Sequence, residues 1–190
     1  MRSYPALISA ALPEARYRPN VTSLHRQIPL CLRVGTADQI PILVALANEH
    51  RIPLYPISTG RNWGLGSKLP VVDGCVVVDL SQLNQIIEVN ESERYALIEP
   101  GVTQGQLAEY LSTHHPRLTF NVTGSFSETS IVGNVLDRGD GAYARIDDLL
   151  GVKGVLGSGE PFAVGGVWAQ EGSGGGSHVS RYVAGPDLAG

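Results

Sequence analysis

The stretch YPISTGRNWGLGSKLP, residues 55–70, decides the fold of this chain, because a glycine-bearing loop follows directly on a short apolar segment. Gly60 permits a positive φ or the close approach of a ligand to the backbone. Successive backbone N–H groups in such a turn form a concave anion site, to which Arg61 adds a positive charge. The glycine spacing matches neither a Walker loop nor a dinucleotide-binding loop. An ordinary glycine-rich turn and a phosphate-binding loop therefore both stay open from these residues alone.

The segments before this loop predict a strand, a helix and a second strand. Residues 28–34 (IPLCLRV) form a short apolar strand candidate. Thr36 and Gln39 have capping-box spacing at the start of a helix that ends near His50. Residues 52–57 (IPLYPI) resume a strand, so the order predicts a right-handed crossover unit.

The segments after the loop predict more short strands and one further helix. Residues 75–80 (CVVVDL) are a continuous β-branched run, typical of a buried strand. A hairpin is predicted over residues 86–100, where the polar turn NESER separates two apolar runs. The capping-box spacing recurs at the start of a helix over residues 103–111. Residues 147–164 predict a second hairpin, and the whole layout indicates an α+β fold.

Composition and charge exclude several classes of function. The chain has 190 residues, 43% of them hydrophobic, which suffices for the core of one domain or slightly more. A net charge of −4 with scattered Lys and Arg argues against nucleic acid or an anionic membrane as a partner. Cys31 and Cys75 have no metal-ligand spacing and predict reduced thiols in a cytoplasmic protein. His114 and His115 predict no metal site, because adjacent side chains at a helix end rarely share one ion.

The chain divides into three regions by composition. Residues 1–27 predict an N-terminal arm, residues 28–164 a folded domain, and residues 165–190 a glycine-rich loop or linker. The linker leads into no closing strand or helix, so we expect a truncated domain. Apolar surface left by a missing part needs a cover, which predicts a homo-oligomer or a completing partner chain.

Two further stretches could contribute to a ligand site. Residues 123–141 (TGSFSETSIVGNVLDRGDG) carry dense hydroxyls and glycines, which suit a polar ligand with many acceptors. A serine-rich surface loop before a short helix is the alternative for this stretch. Residues 98–107 (IEPGVTQGQL) place Pro-Gly-Val between a strand and a capped helix, whose N-terminus is expected to offer free N–H groups. A plain strand-to-helix turn is the alternative there.

Taken in order, these three stretches resemble the FAD-binding (PCMH-type) domain of the vanillyl-alcohol oxidase and 4-cresol dehydrogenase (p-cresol methylhydroxylase) flavoprotein family. The resemblance covers about residues 30–162 and rests on the order and spacing of the stretches, with DLSQLNQIIEV between the first and the next. It implies an α+β fold of two subdomains with the cofactor between them, truncated before the cap domain.

The resemblance also implies a function. An FAD-dependent oxidoreductase is expected, which oxidises an alcohol or a para-substituted, phenol-like small molecule by hydride transfer to FAD. The alternative is a truncated, non-catalytic homologue, with or without FAD, that acts as a subunit or scaffold and needs a partner chain.

The same resemblance assigns residues to the cofactor. The pyrophosphate loop would comprise Pro56, Ile57, Ser58, Thr59, Gly60, Arg61, Asn62 and Trp63. The flavin or adenine side would contact Pro100, Gly101, Val102 and Thr103. Gly124 and Ser125 would lie near the isoalloxazine ring. The ribityl and pyrophosphate region would be held by Thr129, Ser130, Ile131, Gly133 and Asn134, and the turn completed by Asp137, Arg138 and Gly139.

The mode of FAD attachment and the tuning residues are expected from the same source. Many relatives attach FAD through a histidine in the first loop, where this chain has Arg61, Asn62 and Trp63. Other relatives use a His or Tyr in a C-terminal half that these residues do not include. We therefore expect non-covalent FAD, with Ser125 and Asn134 tuning the flavin ring. No catalytic residue is assigned.

Overall fold

The computed structural model describes residues 26–61, 69–121, 126–136 and 148–165. The elements are β1 (Leu30–Arg33), α1 (Gln39–His50), β2 (Leu54–Ile57), β3 (Val76–Asp79), β4 (Ile86–Asn90), β5 (Tyr95–Ile98), α2 (Gln104–His114), α3 (Ile131–Leu136), β6 (Gly151–Val155) and β7 (Pro161–Gly165). Nearly all of the predicted arm and linker lies outside the described residues, so these two regions stay predictions. Helices and separate small sheets within the described part confirm the α+β class.

A three-stranded parallel sheet has the order β1-β3-β2. Strand β3 pairs with β1 from Leu30↔Val76 and with β2 from Leu54↔Val76. All four residues of β3 are buried, which confirms the buried strand predicted from its β-branched run. Because β3 lies between the other two strands, α1 connects strands that are not neighbours. The handedness of that crossover stays a prediction.

Helix α1 ends at His50 as predicted, but its capping differs from the prediction. The N-cap is Asp38, and its side chain makes no capping hydrogen bond. The Gln39 side chain instead accepts a hydrogen bond from the backbone N–H of Gly35 at 2.9 Å. The predicted capping box is therefore only half formed. The Gln39 side chain also accepts from the Thr36 N–H at 3.4 Å, but the helix begins at Gln39 and its N-cap is Asp38. Leu43 on α1 packs into the core under the parallel sheet.

A second hydrophobic core lies between the β4–β5 hairpin and α2. Val102, Leu107 and Leu111 form its buried centre. The hairpin is antiparallel, as predicted from the NESER turn. The Thr103 hydroxyl accepts a hydrogen bond from the backbone N–H of Gln106 at 3.1 Å, which confirms the second capping prediction. Helix α2 continues to His114, three residues beyond the predicted end.

The predicted hairpin near the end of the described chain is also present. Strands β6 and β7 pair antiparallel. The Asn48 side chain on α1 donates a hydrogen bond to the Gly157 carbonyl in the β6–β7 turn at 2.7 Å. Cys31 and Cys75 are both buried, and neither forms a disulfide. Within the described ranges, no helix is long and apolar enough to cross a membrane.

Candidate functional site

A cleft of about 250 Å³ lies at the carboxyl ends of β2 and β3. Residues 55–61 form one wall, which we call the first wall. Residues of the segment 129–136 form the second wall, and Leu80 and Pro100 also line the cleft. Ligands of parallel sheets commonly bind beyond the carboxyl ends of the strands. The fold therefore places two of the three predicted stretches around one cavity and adds Pro100 from the third.

The first wall combines hydroxyls, a glycine turn and one cation. Ser58 and Thr59 follow β2 directly and are half-buried. Gly60 has a φ of 62°, in the left-handed region that glycine adopts without strain, as the sequence predicted. Arg61 is the only formally charged side chain among the described residues that line the cleft. This set of groups suits an anionic ligand.

The second wall is fixed to the start of α2 by backbone hydrogen bonds. The N–H groups of Gln104 and Gly105 donate to the carbonyls of Thr129 and Ser127 at 3.0 and 2.8 Å. The N–H of Gln106 is bonded to its capping residue. The expectation of free N–H groups at this helix end is wrong, because Thr129, Ser127 and the capping residue Thr103 accept these hydrogen bonds. The end of α2 positions the cleft wall without presenting these donors to a ligand.

Ser130 is the junction between the second wall and the turn that precedes α2. Its side chain is buried, and its hydroxyl donates to the Pro100 carbonyl at 2.6 Å. The same oxygen accepts a hydrogen bond from the backbone N–H of Gly133 at 3.0 Å. The Asn134 side-chain amide donates to the Ser130 carbonyl at 2.7 Å. Ser130 thus holds Pro100 and α3 in fixed positions along the cleft.

Gly133 of the second wall lies directly beside Ser58 of the first wall. A Cβ atom on this residue would lie 2.6 Å from Oγ of Ser58, so a larger residue would collide with the first wall. A glycine at this position lets the two predicted stretches pack directly against each other.

The turn that precedes α2 lies in the core and not at the cleft surface. Gly101 and Val102 are both buried. A Cβ atom on Gly101 would lie 2.6 Å from the Leu83 carbonyl oxygen. Thr103 caps α2 and forms a bridge to Ser130. Among the four residues expected to contact the flavin or adenine side, Pro100 lines the cleft and the other three support it.

A buried hydrogen bond that the sequence did not reveal supports the second wall. Gln104 and Thr129 are 6% and 1% exposed. The Gln104 side-chain amide donates to Oγ1 of Thr129 at 2.7 Å, and that hydroxyl donates to the Phe126 carbonyl at 2.6 Å. Gln104 is the first residue of α2, and its only sequence signal is its place beside the N-cap.

An ion pair at the surface also joins the two walls. Nη2 of Arg61 lies 3.2 Å from Oε2 of Glu128, and the two side chains are 58% and 65% exposed. Glu128 precedes Thr129 and does not line the cleft. The sequence predicts a ligand-binding role for Arg61 but none for Glu128, because no local pattern links residues so far apart along the chain.

The resolved pKa shifts lie in the β4–β5 hairpin and its surroundings, away from the cleft. Hydrogen bonds from Arg117 and then His115 lower the pKa of Glu91. A hydrogen bond to Glu88 raises the pKa of Tyr95. None of these groups lines the cleft.

Several expected cofactor residues lie outside the described residues: Asn62, Trp63, Gly124, Ser125, Asp137, Arg138 and Gly139. The remaining ones on the first wall all line the cleft. On the second wall, Thr129, Ser130, Gly133 and Asn134 line it, together with Val132 and Leu136, which were not predicted. The predicted Ile131 does not line the cleft and packs against the core beside α2.

Comparison with known proteins identifies relatives of this arrangement. The family model described as FAD binding domain matches residues 29–160. The chain is 45% identical over 139 residues to 1'-carboxy-chondrochloren decarboxylase of Chondromyces crocatus, a match that covers 72% of this chain and 26% of the relative. It is 37% identical over 133 residues to the 4-cresol dehydrogenase (hydroxylating) flavoprotein subunit of Pseudomonas putida, covering 68% and 26%. The chain thus spans about a quarter of the length of these curated relatives.

Solved structures show the same fold. Substrate-bound p-cresol methylhydroxylase matches with a TM-score of 0.74 and 33% identity, covering 84% of this chain and 31% of that one. The 4-ethylphenol oxidase from Gulosibacter chungangensis, in complex with isoeugenol, matches with a TM-score of 0.74 and 29% identity, with the same coverage. These matches confirm the PCMH-type FAD-binding fold that the three sequence stretches predicted.

Proposed function

Since the chain belongs to the FAD binding domain family, we propose that its cleft holds the diphosphate of a non-covalently bound FAD. The observation that carries this proposal is the convergence of both hydroxyl- and glycine-bearing stretches on one cleft, where Arg61 is the single cation among the described lining residues. The whole protein is then a flavin-dependent oxidoreductase, of which the chain supplies the cofactor-binding part.

The donors of the cleft fit an anionic dinucleotide. Ser58 and Thr59 offer hydroxyls, Gly60 allows backbone N–H groups to face a ligand, and Arg61 offers a guanidinium fork. No Asp or Glu is among the described lining residues, so a diphosphate meets no fixed negative charge on the lining itself. The narrow approach at Gly133 brings the second wall within reach of the same ligand.

The second wall would hold the part of FAD that extends from the diphosphate toward the flavin. Ser130 and Gly133 shape this wall. Among the residues that the structure describes, Asn134 is the candidate for contacts with the flavin side. Ser125 and the other expected residues outside the described ranges complete the assignment. Because Ser130 is fixed by three hydrogen bonds, this wall is pre-organised for the cofactor.

FAD, when bound, supplies the acceptor for a hydride from the substrate carbon. The residues of this chain bind and orient the cofactor. We propose a para-substituted phenol or a related alcohol as substrate. The names 4-cresol dehydrogenase, p-cresol methylhydroxylase and 4-ethylphenol oxidase, carried by similar proteins, support this class.

Two features of the relatives extend the proposal. The relative at 45% identity is named a decarboxylase, so carboxylated compounds form the second substrate class to test. The relative from Pseudomonas putida is named a flavoprotein subunit, which supports a partner polypeptide or a second copy for this chain. Cytoplasmic localisation stays part of the proposal.

A spectroscopic titration tests cofactor binding, its attachment and the substrate class. Purified protein is titrated with FAD, desalted, and divided into native and denatured samples. We expect a flavin spectrum in the native sample and complete release of flavin on denaturation. Anaerobic addition of 4-alkylphenols, simple alcohols and carboxylated analogues then shows which class bleaches the flavin. Absence of bound flavin at saturating FAD contradicts the cofactor assignment, and a flavin that stays with denatured protein contradicts non-covalent attachment.

A further inference from the structure

The Arg61–Glu128 ion pair places a negative charge beside the only cation among the described lining residues. Its two members belong to segments on opposite sides of the cleft, and the pair spans 3.2 Å. Both side chains are more than half exposed, so water competes with the pair and its net stabilisation is small. Such a pair exchanges one partner for another at little cost.

The guanidinium of Arg61 has a better use when an anionic ligand is present. Its planar fork donates two parallel hydrogen bonds to a phosphate, and phosphate competes with a carboxylate for the same fork. A carboxylate held beside the fork also repels an incoming diphosphate. The two anions therefore compete for Arg61 at this edge of the cleft.

We propose that Glu128 is a displaceable counter-ion of Arg61, which the diphosphate of the cofactor replaces on binding. The inference rests on the proposed function, because it requires FAD in this cleft. Without ligand, Glu128 holds Arg61 near the second wall. Because it competes with the diphosphate for Arg61, it lowers the apparent FAD affinity. That affinity therefore depends on ionic strength. Glu128 is thus a determinant of cofactor affinity that does not itself line the cleft and acts through its contact with Arg61.

Equilibrium FAD titrations of four proteins test this exchange: wild type, Glu128→Gln, Arg61→Gln and the double variant. Glu128→Gln should bind FAD about three-fold more tightly at low salt, the size expected for loss of one exposed ion pair. This gain should shrink at about 0.5 M salt, because screening weakens both competing contacts. In the Arg61→Gln background the Glu128→Gln change should give no gain.

Glu109→Gln is the matched control, because it removes the same charge from the exposed surface of α2. It should leave the FAD affinity unchanged. The inference is overturned if Glu128→Gln equals Glu109→Gln, or if its gain persists without Arg61. Wild-type protein that binds no FAD overturns the proposed function and this inference together, whereas the first two results leave FAD binding intact.

Discussion

Gly133 packs so closely against Ser58 that a Cβ atom on the glycine would lie 2.6 Å from the serine Oγ. The contact joins a loop that follows β2 to a helix that lies more than seventy residues later. Through this contact, the glycine-bearing loop after β2 and the hydroxyl-rich stretch around α3 line the same cleft.

Replacing Gly133 with alanine should separate the two walls. The added methyl group must displace the Ser58 hydroxyl, by rotation of that side chain or by movement of α3, and overpacking of this kind costs up to about 3 kcal/mol of stability. We expect FAD affinity to fall at least about ten-fold, a loss equivalent to about 1.4 kcal/mol. Flavin fluorescence titration measures the affinity, and thermal unfolding measures the stability.

Gly157→Ala is the control for this change, since a Cβ atom there meets nothing within 4 Å. It should alter neither FAD affinity nor stability measurably. Equal affinities for Gly133→Ala and Gly157→Ala would mean that the approach of the walls is not needed for FAD.

Gln104→Ala tests the buried support of the second wall. The change removes the 2.7 Å hydrogen bond to Thr129 in a region that excludes water. Loss of a buried hydrogen bond costs about 1–3 kcal/mol, and urea unfolding should show a decrease in that range.

Gln106→Ala on the same helix is the comparison, because its side-chain hydrogen bond to the Asn84 carbonyl is exposed. We expect a smaller decrease, below about 1 kcal/mol. The role assigned to Gln104 fails if the two variants lose equal stability.

The cluster of Glu91, His115 and Arg117 predicts that the protein loses stability in acid. Arg117 and His115 donate to Glu91 and lower its pKa below the ordinary value of 4.5. A carboxyl whose pKa is lower in the folded state stabilises the protein above its unfolded pKa, and this stabilisation disappears as the pH falls through the folded pKa. Glu91→Gln should therefore lower the Tm at pH 7, and this difference should shrink as the pH falls below 4.5.

Glu93→Gln, in the same hairpin turn, is the control, because it removes the same charge and leaves the contacts of Glu91 with Arg117 and His115 in place. Thermal unfolding of both variants and the wild type between pH 3 and pH 7 gives the comparison. A Tm difference for Glu91→Gln that stays constant across this range would rule out the assigned ion pairs.

Much of the fold follows from local sequence patterns. The NESER hairpin and the Thr103 cap are interactions between residues close in sequence, so the sequence predicts them. The β-branched run of β3 is itself a local pattern, and it predicts a buried strand. The prediction that Thr36 caps α1 failed, because the Gln39 side chain accepts a hydrogen bond from Gly35 in the turn before the helix. Sequence spacing alone does not distinguish this contact from a capping box.

The details of the site depend on contacts between distant segments. The order and spacing of three stretches pointed to the family, and its matches confirm the fold. The partners Gln104–Thr129 and Arg61–Glu128 could not be predicted, since each pair joins segments that are distant along the chain. The first pair forms when α2 packs against the second wall, and the other when the first wall meets the segment that precedes Thr129. The burial of Gly101 and Val102 likewise could not be predicted, because it depends on the packing of their turn against other segments of the fold.

Hydrogen–deuterium exchange with and without FAD tests most directly the claim that this cleft holds the cofactor. We predict that FAD slows exchange in residues 55–61 and 129–136, with no change in the β6–β7 hairpin, which does not line the cleft. Protection that is absent from both walls at saturating FAD, or that is confined to the hairpin, would contradict the account.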